Sequence, residues 1–276
     1  MTHPPPAQSP SSDQVAWSAT DLAADPHQAA DKADRVRRMF SSIAPSYDLN
    51  NRVHSFGLDQ RWRRRVVRLC AVQPADRVLD VACGTGDLTL AFAAARPASV
   101  TGLDFAAPML EIARRKAQRC EGKGTAASFV QGDAMALSFG DASMDIISIA
   151  FGIRNVADPL RALREFRRVL RPGGRLAVLE FSEPANPVLR TLNRLYTRSI
   201  MPLTATILAR DRSGAYRYLP RSVATFPHPQ AFADLLVRAG FPVVSRHPLT
   251  FGTCTIHLAR LDAADGGTTP QRPLDA

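Results

Sequence analysis

Lysine is scarce in this chain: Lys32, Lys116 and Lys123 are its only three, so the formal net charge of +10 is carried almost wholly by arginine. Part of that excess is compositional, and charge alone does not rank anionic lipid, nucleic acid and phosphorylated substrates as partners. Cysteine is sparse too. Cys70, Cys83, Cys120 and Cys254 have neither CxxC spacing nor a histidine partner nearby, and no signal-peptide pattern precedes them, so they read as reduced cytosolic thiols. None of the six histidines forms an HxxxH pair, which removes the usual zinc signature, and no metal is expected. No apolar run approaches the roughly 18 residues of a membrane span, so a cytoplasmic protein is expected, at most peripheral to a membrane.

What is present is a core's worth of apolar residues, 45% of the chain, laid out in alternating periods. Residues 1–30, with "HPPPAQSPSS", read as a flexible leader, and 263–276 as a flexible tail. Between them "RVLDVA", "SVTGLD", "SFVQGDA", "MDIISIAFG" and "RLAVLEF" have strand character, the last following a turn at "RPGG". "APMLEIARRKAQR" and "DPLRALREFRRVL" have helical spacing, the second opened by Asp158 and Pro159. "PQAFADLLVRAGF", "VVSRHPL" and "TCTIHLAR" close the domain as a helix and two strands. The βαβαβ order predicts an α/β fold with a doubly wound, mostly parallel sheet and helices on both faces, binding its ligand beyond the carboxyl ends of the strands.

"VLDVACGTGDLTL" identifies the ligand class. A buried strand runs into a turn through Gly84 and Gly86 and then a helix, a geometry that brings a ligand close to backbone. The dinucleotide pattern GxGxxG needs a third glycine where Thr89 stands, and the phosphate loop GxxxxGK[ST] is absent. Asp80 and Asp87 put negative charge beside the loop, which repels phosphate and suits a cationic sulfonium; for Asp80, capping of the adjacent turn is the competing reading. Asp104, ending the second strand, can accept both hydroxyls of a ribose, and Asp133, at the tip of the third, can accept from an adenine amine. That set suits S-adenosylmethionine.

"VLDVACGTGDLT", "GLDFAAPML", "GDAMALSF" and "VLRPGGRLAVLEF" resemble the motifs of Rossmann-like class I S-adenosylmethionine methyltransferases. "FSSIAPSYDLNNRVHSFGLDQRWR", "SIAFGIRNVADPLRALREFRRVL" and "AYRYLPRSVATFP" are similar to the bacterial quinone C-methyltransferases, the demethylmenaquinone methyltransferases and their ubiquinone-pathway relatives. The resemblance implies a seven-stranded sheet and a single methyltransferase domain over 31–262. It implies cofactor contacts at Thr85 in the loop, Asp104 at the ribose, and Asp133 with Ala134 at the adenine. Asp80, Gly84 and Gly86 complete the expected cofactor set. Two positions depart from some relatives: Ala150 stands where they have serine, and Asp133 where they have asparagine.

The implied reaction methylates a ring carbon of a prenylated hydroquinol, demethylmenaquinol to menaquinol, or else 2-methoxy-6-polyprenyl-1,4-benzoquinol in ubiquinone biosynthesis. A phenol titrates near about 10, so the enzyme must favour the phenolate with charge or donors. Arg154 and Asn155 in "FGIRN" are the expected catalytic residues; for Arg154 a surface ion pair or helix-end partner is the alternative. Tyr47, His54 and Tyr218 are expected in the substrate pocket. The segment 187–226 is long for a connection and is expected to be a substrate-side lid. Apolar stripes at Val36, Met39, Phe40 and Ile43 and at Leu189, Leu192, Leu195 and Tyr196 serve either core packing or an interface. Arg61, Arg65 and Arg68 are either a solvated face or a contact for anionic lipid. The oligomeric state, a homodimer included, is open. No nucleic-acid partner is expected, since aromatic clusters on a basic stripe are lacking. A methyltransferase for a sterol or small phenol, or a cofactor-binding protein without turnover, are the remaining rivals.

Overall fold

Val78, Leu79 and Val81 alternate with the equally buried Asp80 in β1 (Arg77–Val81), a strand covered on both faces. The structure, a computed structural model, describes residues 16–18, 21–22, 25–200 and 214–262. Before β1 lie the helices α1 (Lys32–Ile43), α2 (Tyr47–His54) and α3 (Leu58–Cys70). After β1 come α4 (Asp87–Ala94), β2 (Ser99–Asp104), α5 (Ala107–Gln118), β3 (Ala127–Gln131), β4 (Met144–Ala150), α6 (Pro159–Val169) and β5 (Leu170–Phe181). The chain then runs through α7 (Pro187–Leu195), a π-helical turn (Tyr196–Ile200), α8 (Ala215–Ala224), α9 (Pro229–Arg238), β6 (Val243–Leu249) and β7 (Cys254–Arg260).

The seven strands lie in the order β3-β2-β1-β4-β5-β7-β6. Strands β1 to β5 pair in parallel, and β7 runs antiparallel between β5 and β6. Every strand and helix expected between Val78 and Arg260 is present. The expected turn at "RPGG" is a bulge within β5: Met144 pairs with Leu170, Ile146 with Arg175, and Gly173 takes a φ of 75°. The order reverses between β1 and β4, so the crevice at their carboxyl ends is the switch point.

Local chemistry accounts for the helices. Asp158 accepts from the Arg161 N–H at 3.0 Å, Pro159 follows it, and Ala162, Leu163, Phe166 and Val169 bury one face of α6 against β5. Asn186 caps α7 through the N–H groups of Val188 and Leu189. The leader expected over 1–30 lies largely outside the described residues, yet Trp17 is fully buried, its ring 4.7 Å from that of Tyr218. Of the expected lid, 201–213 lies outside the described residues, as does the tail over 263–276.

Candidate active site

Two cavities meet beyond the carboxyl ends of β1, β2 and β4. The first, of about 480 Å³, is bounded by the glycine loop, the ends of β2 and β3, and α1. Gly84 lines it, with a φ of 55°; a Cβ there would find only Tyr47 Cε1, at 3.8 Å, so the loop presents bare backbone. Gly86, with a φ of 84°, serves packing: its Cβ would stand 3.0 Å from Ala113 and 3.1 Å from Phe129. Asp104 is buried and lines the cavity, while its carboxylate accepts from the Gly84 N–H at 2.8 Å and the Ala106 N–H at 2.9 Å. Burial raises its pKa against the pull of those amides. Asp133 and Ala134 line the same wall, Asp133 folded by a 2.8 Å bond from the Met135 N–H. Asn155 and Ala150 complete the wall toward β4.

The structure separates other expected cofactor residues from this cavity. Asp80 does not line it; its oxygens accept from Thr89 and Ser148, each at 2.7 Å, and burial pushes its pKa up to about 6. The Thr85 hydroxyl turns away to donate to Asp48 at 2.6 Å. Lys116 binds Asp48 and Asp87, and Arg52 reaches Asp87 at 3.2 Å, so the charge of Asp87 is answered within a network that ties α2, α4 and α5 together. A strand position tells that an acid is at the loop, and the side-chain direction depends on which helix covers that face.

The second cavity, of about 300 Å³, is mainly apolar and aromatic, and shares Phe40, Tyr47 and Phe151 with the first. Phe151, at a φ of 57°, stands at the junction, its ring 4.5 Å from that of Phe181 and 6.1 Å from that of Trp62. Tyr47, His54, Arg154 and Tyr218 all line this cavity. His54 donates through Nδ1 to the Asn50 carbonyl at 2.8 Å. The Tyr218 hydroxyl donates to Asn155 Oδ1 at 2.9 Å, and burial drives its pKa up to about 12. Burial likewise raises the phenol of Tyr47.

Arg154 is buried and held on three sides. Its Nη1 donates to the Phe151 carbonyl and to Glu180 Oε1, each at 2.7 Å, and its guanidinium lies over the Phe181 ring at 5.3 Å. Glu180, near the end of β5, is the residue the sequence reading missed. Its Oε1 also accepts from the Phe181 N–H at 2.8 Å, while Oε2 is buried without a partner. Burial raises its pKa, opposed by Arg154. The available signal was an acid inside the apolar run "RLAVLEF", which needs a cation to be buried there. Arg63 and Asp59, 2.7 Å apart, form a second buried pair in the cavity wall that the sequence reading also passed over.

No helix among the described residues is long and apolar enough to cross a membrane, and no group of three potential metal ligands occurs among them. The fold resembles S-adenosylmethionine-dependent methyltransferases of Methanococcus maripaludis (TM-score 0.56, 18% identity, 82% of this chain and 94% of that one) and Thermotoga maritima (0.55, 21%, 80% and 98%). In sequence the chain is similar to the demethylmenaquinone methyltransferase of Thermus thermophilus, at 49% identity over 80% of this chain and 98% of that protein. It is 43% identical to the Deinococcus radiodurans protein of the same name over 80% and 90%. It is 42% identical to the ubiquinone/menaquinone biosynthesis C-methyltransferase of Geobacter sp. strain M21 over 83% and 97%. The model of the ubiE/COQ5 methyltransferase family matches residues 28–260, and the chain belongs to that family.

Proposed function

We propose that this protein is the S-adenosylmethionine-dependent C-methyltransferase that converts demethylmenaquinol to menaquinol. The observation that carries the reading is the pair of cavities: one marked by acids and bare backbone, the other aromatic and holding a buried arginine, joined at Phe151. The first suits a nucleoside with a cationic centre. Among the described residues that line it, the acids are Asp104, Asp133 and Asp34 and the one cation is Arg37, so a phosphate would find little there to hold it. Asp104 is assigned to the ribose hydroxyls, Asp133 and Ala134 to the adenine edge, and Gly84 to the close approach of the loop. The proposed roles of Asp80, Thr85 and Gly86 are indirect: they shape the loop from behind.

The bound cofactor supplies an electrophilic methyl on a sulfonium. The chain's own residues must then hold the ring carbon in line with it, exclude water and favour the phenolate. Phe151, Phe181 and Trp62 form an aromatic wall for a flat ring. The Arg154 guanidinium stabilises negative charge on a ring oxygen; Glu180 and the Phe151 carbonyl fix its orientation. Asn155, fixed by Tyr218, stands between the two cavities and orients the reacting groups. Residues 31–262 are taken as the methyltransferase domain, with 187–226 as its substrate-side cover. The prenyl tail implies work in the cytoplasm at the inner face of a membrane.

A benzoquinol is the second reading, favoured by the double name of the Geobacter relative. Purified protein with S-adenosylmethionine is given chemically reduced demethylmenaquinone and, separately, a reduced prenylated methoxybenzoquinone, and product mass and methyl position are read. The expected product is ring-methylated naphthoquinol. Cofactor binding without methylation of either quinol overturns the assignment.

A further inference from the structure

Arg63 and Arg154 are both buried in the wall of the aromatic cavity, and the proposed reaction uses only Arg154. Helix α3 begins at that cavity: Leu58, Asp59, Trp62 and Arg63, in its first turns, line it. Its far end lies at the amino ends of the strands, where the Cys70 carbonyl accepts from Arg175 at 2.8 Å. Arg63 is 7% exposed and stands four residues after Asp59, on the same face of the helix, and its Nη1 donates to Asp59 Oδ2 at 2.7 Å. The carboxylate has other partners. Asp59 also accepts from Ser55 Oγ and Gln60 Nε2, each at 3.0 Å, and Arg52 Nη1 stands 3.6 Å from it. Burying an arginine beside an acid already so supplied adds little stability, because the attraction in a buried pair scarcely offsets its desolvation.

What Asp59 gives Arg63 is a fixed position. Among the described residues Arg63 is hydrogen-bonded through Nη1 alone, which leaves the rest of its planar fork of donors at the cavity surface. Arg154 is set in the same manner from another element: Glu180 and the Phe151 carbonyl hold its Nη1, while its Nε is buried without a partner. The two guanidiniums share one aromatic wall. Arg63 lies 5.6 Å from the centre of the Phe151 ring and Arg154 5.3 Å from that of the Phe181 ring, and those two rings are 4.5 Å apart. A phenol in this wall feels both arginines: burial raises the pKa of Tyr47, and Arg63, the Asn51 side chain and Arg154 pull it the other way.

A ring with two oxygens para to each other makes different demands at its two ends. The oxygen beside the carbon that takes the methyl must feed electrons to that carbon. The oxygen across the ring has no part in the new bond and is available for recognition. We propose that Arg63 holds this second oxygen while Arg154 stabilises the first, so that the cavity selects a para-dihydroxy ring over a monophenol, with Asp59 as the residue that positions Arg63. A site built to donate to a substrate oxygen rejects the analogue that lacks it, because its buried donors are then left unpaired. This deepens, and rests on, the reading of a hydroquinol as acceptor.

The test compares two short-chain acceptors that carry the same dimethylallyl group. One is the naphthalene-1,4-diol; the other is 3-dimethylallyl-1-naphthol, which keeps the hydroxyl beside the methylated carbon and lacks the one across the ring. For each, kcat/KM is measured in wild type, in Arg63→Gln and in Asp59→Asn with Arg63→Gln, the double variant leaving no unpaired carboxylate behind. The intrinsic reactivities of the two rings cancel when the diol preference of one enzyme is divided by that of another. That preference should fall about 10- to 100-fold in both variants, the worth of a hydrogen bond from a charged donor, and mainly through the KM of the diol. If the monophenol binds without turnover, its inhibition constant takes the place of its KM in the same comparison. The rise in thermal midpoint with S-adenosylmethionine should persist in both variants, since neither residue lines the cofactor cavity. A diol preference equal to that of wild type, whether both acceptors suffer alike or neither does, makes Arg63 structural and overturns its assignment while the quinol reading stands. Wild type that binds S-adenosylmethionine and methylates neither ring overturns the acceptor reading, and the role of Arg63 with it.

Discussion

Arg154 illustrates how position within a motif and chemistry within a site differ. Its place after β4 was legible because "FGIRN" follows a recognisable strand, with a surface ion pair or helix-end partner as the rival reading, and the structure shows instead a buried pair with Glu180 in the wall of the aromatic cavity. A planar guanidinium held by a carboxylate and a carbonyl is not replaced by an ammonium. Arg154→Lys is therefore expected to lower turnover by about 10²–10³ while cofactor affinity by calorimetry stays within about twofold; a variant with wild-type single-turnover rate removes Arg154 from the mechanism. Asp80 was legible as an acid at the loop, not as one turned toward Thr89 and Ser148, because its direction is decided by α4 and β4 rather than by the motif. Burial raises its pKa from 3.8 to about 6, so between those values the folded state holds a proton that the unfolded state has lost. Stability contributed by this group therefore falls as pH rises through the window, and above it the buried charge costs on the order of 3 kcal/mol. Asp80→Asn, which keeps partners for both hydroxyls, should raise the thermal midpoint of cofactor-free protein at pH 7.5, with the gain over wild type shrinking toward pH 4. An unchanged or lowered midpoint at pH 7.5 contradicts that account.

At the scale of elements, the central strands and helices were legible because their apolar periods are set by the two-sided burial of a parallel sheet, and Asp158–Pro159 marks a helix start chemically. The contacts of the N-terminal segment were not, since Trp17 sits among prolines and serines without periodicity and is buried against partners distant in sequence, the Tyr218 ring some two hundred residues away among them. The same segment is latched by His27 and Lys32. His27 Nε2 donates to the Ser222 carbonyl of α8 at 2.9 Å, and Lys32 Nζ donates to the Val156 carbonyl at 2.6 Å and contacts His27 Nδ1 at 3.3 Å. This arrangement requires a neutral imidazole, because a proton on Nδ1 would face the Lys32 ammonium. Burial lowers the His27 pKa below 6.5, with Lys32 and Arg154 adding to the effect and Asp25 opposing it. A depressed histidine contributes stability above its unfolded value and loses it as pH falls below about 6.5. Limited proteolysis should accordingly cut the N-terminal segment faster at pH 5.5 than at pH 7.5, and His27→Gln, which cannot gain the charge, should flatten that dependence. Equal pH dependence in wild type and variant means the latch is not governed by His27.

For the whole molecule, the two cavities are enclosed by elements from opposite ends of the chain, α1 and α2 on one side and α7 and α8 on the other, so ligand binding and global stability are linked. A ligand that binds only the folded state at a hundred times its dissociation constant adds about 2.7 kcal/mol. In a domain of this size that corresponds to a rise in thermal midpoint of about 5–10 °C. S-adenosylmethionine is expected to produce such a rise in the absence of any quinol, whereas ATP, whose phosphates meet Asp34, Asp104 and Asp133 in the same cavity, should produce none. Asp104→Ala removes a charged acceptor worth about 1.5–3 kcal/mol, which lowers affinity roughly 10- to 100-fold and should erase most of the rise at the same cofactor concentration. Because Asp104 also accepts from Gly84 and Ala106, its loss acts on loop and ligand together. Asp104→Asn separates the two: one oxygen remains to accept from a loop amide, so the cofactor-free midpoint should stay close to wild type while the cofactor-induced rise is still diminished. A full-sized rise in both variants would mean that the ribose hydroxyls are held elsewhere in the cavity, with Asp133 the next carboxylate to test.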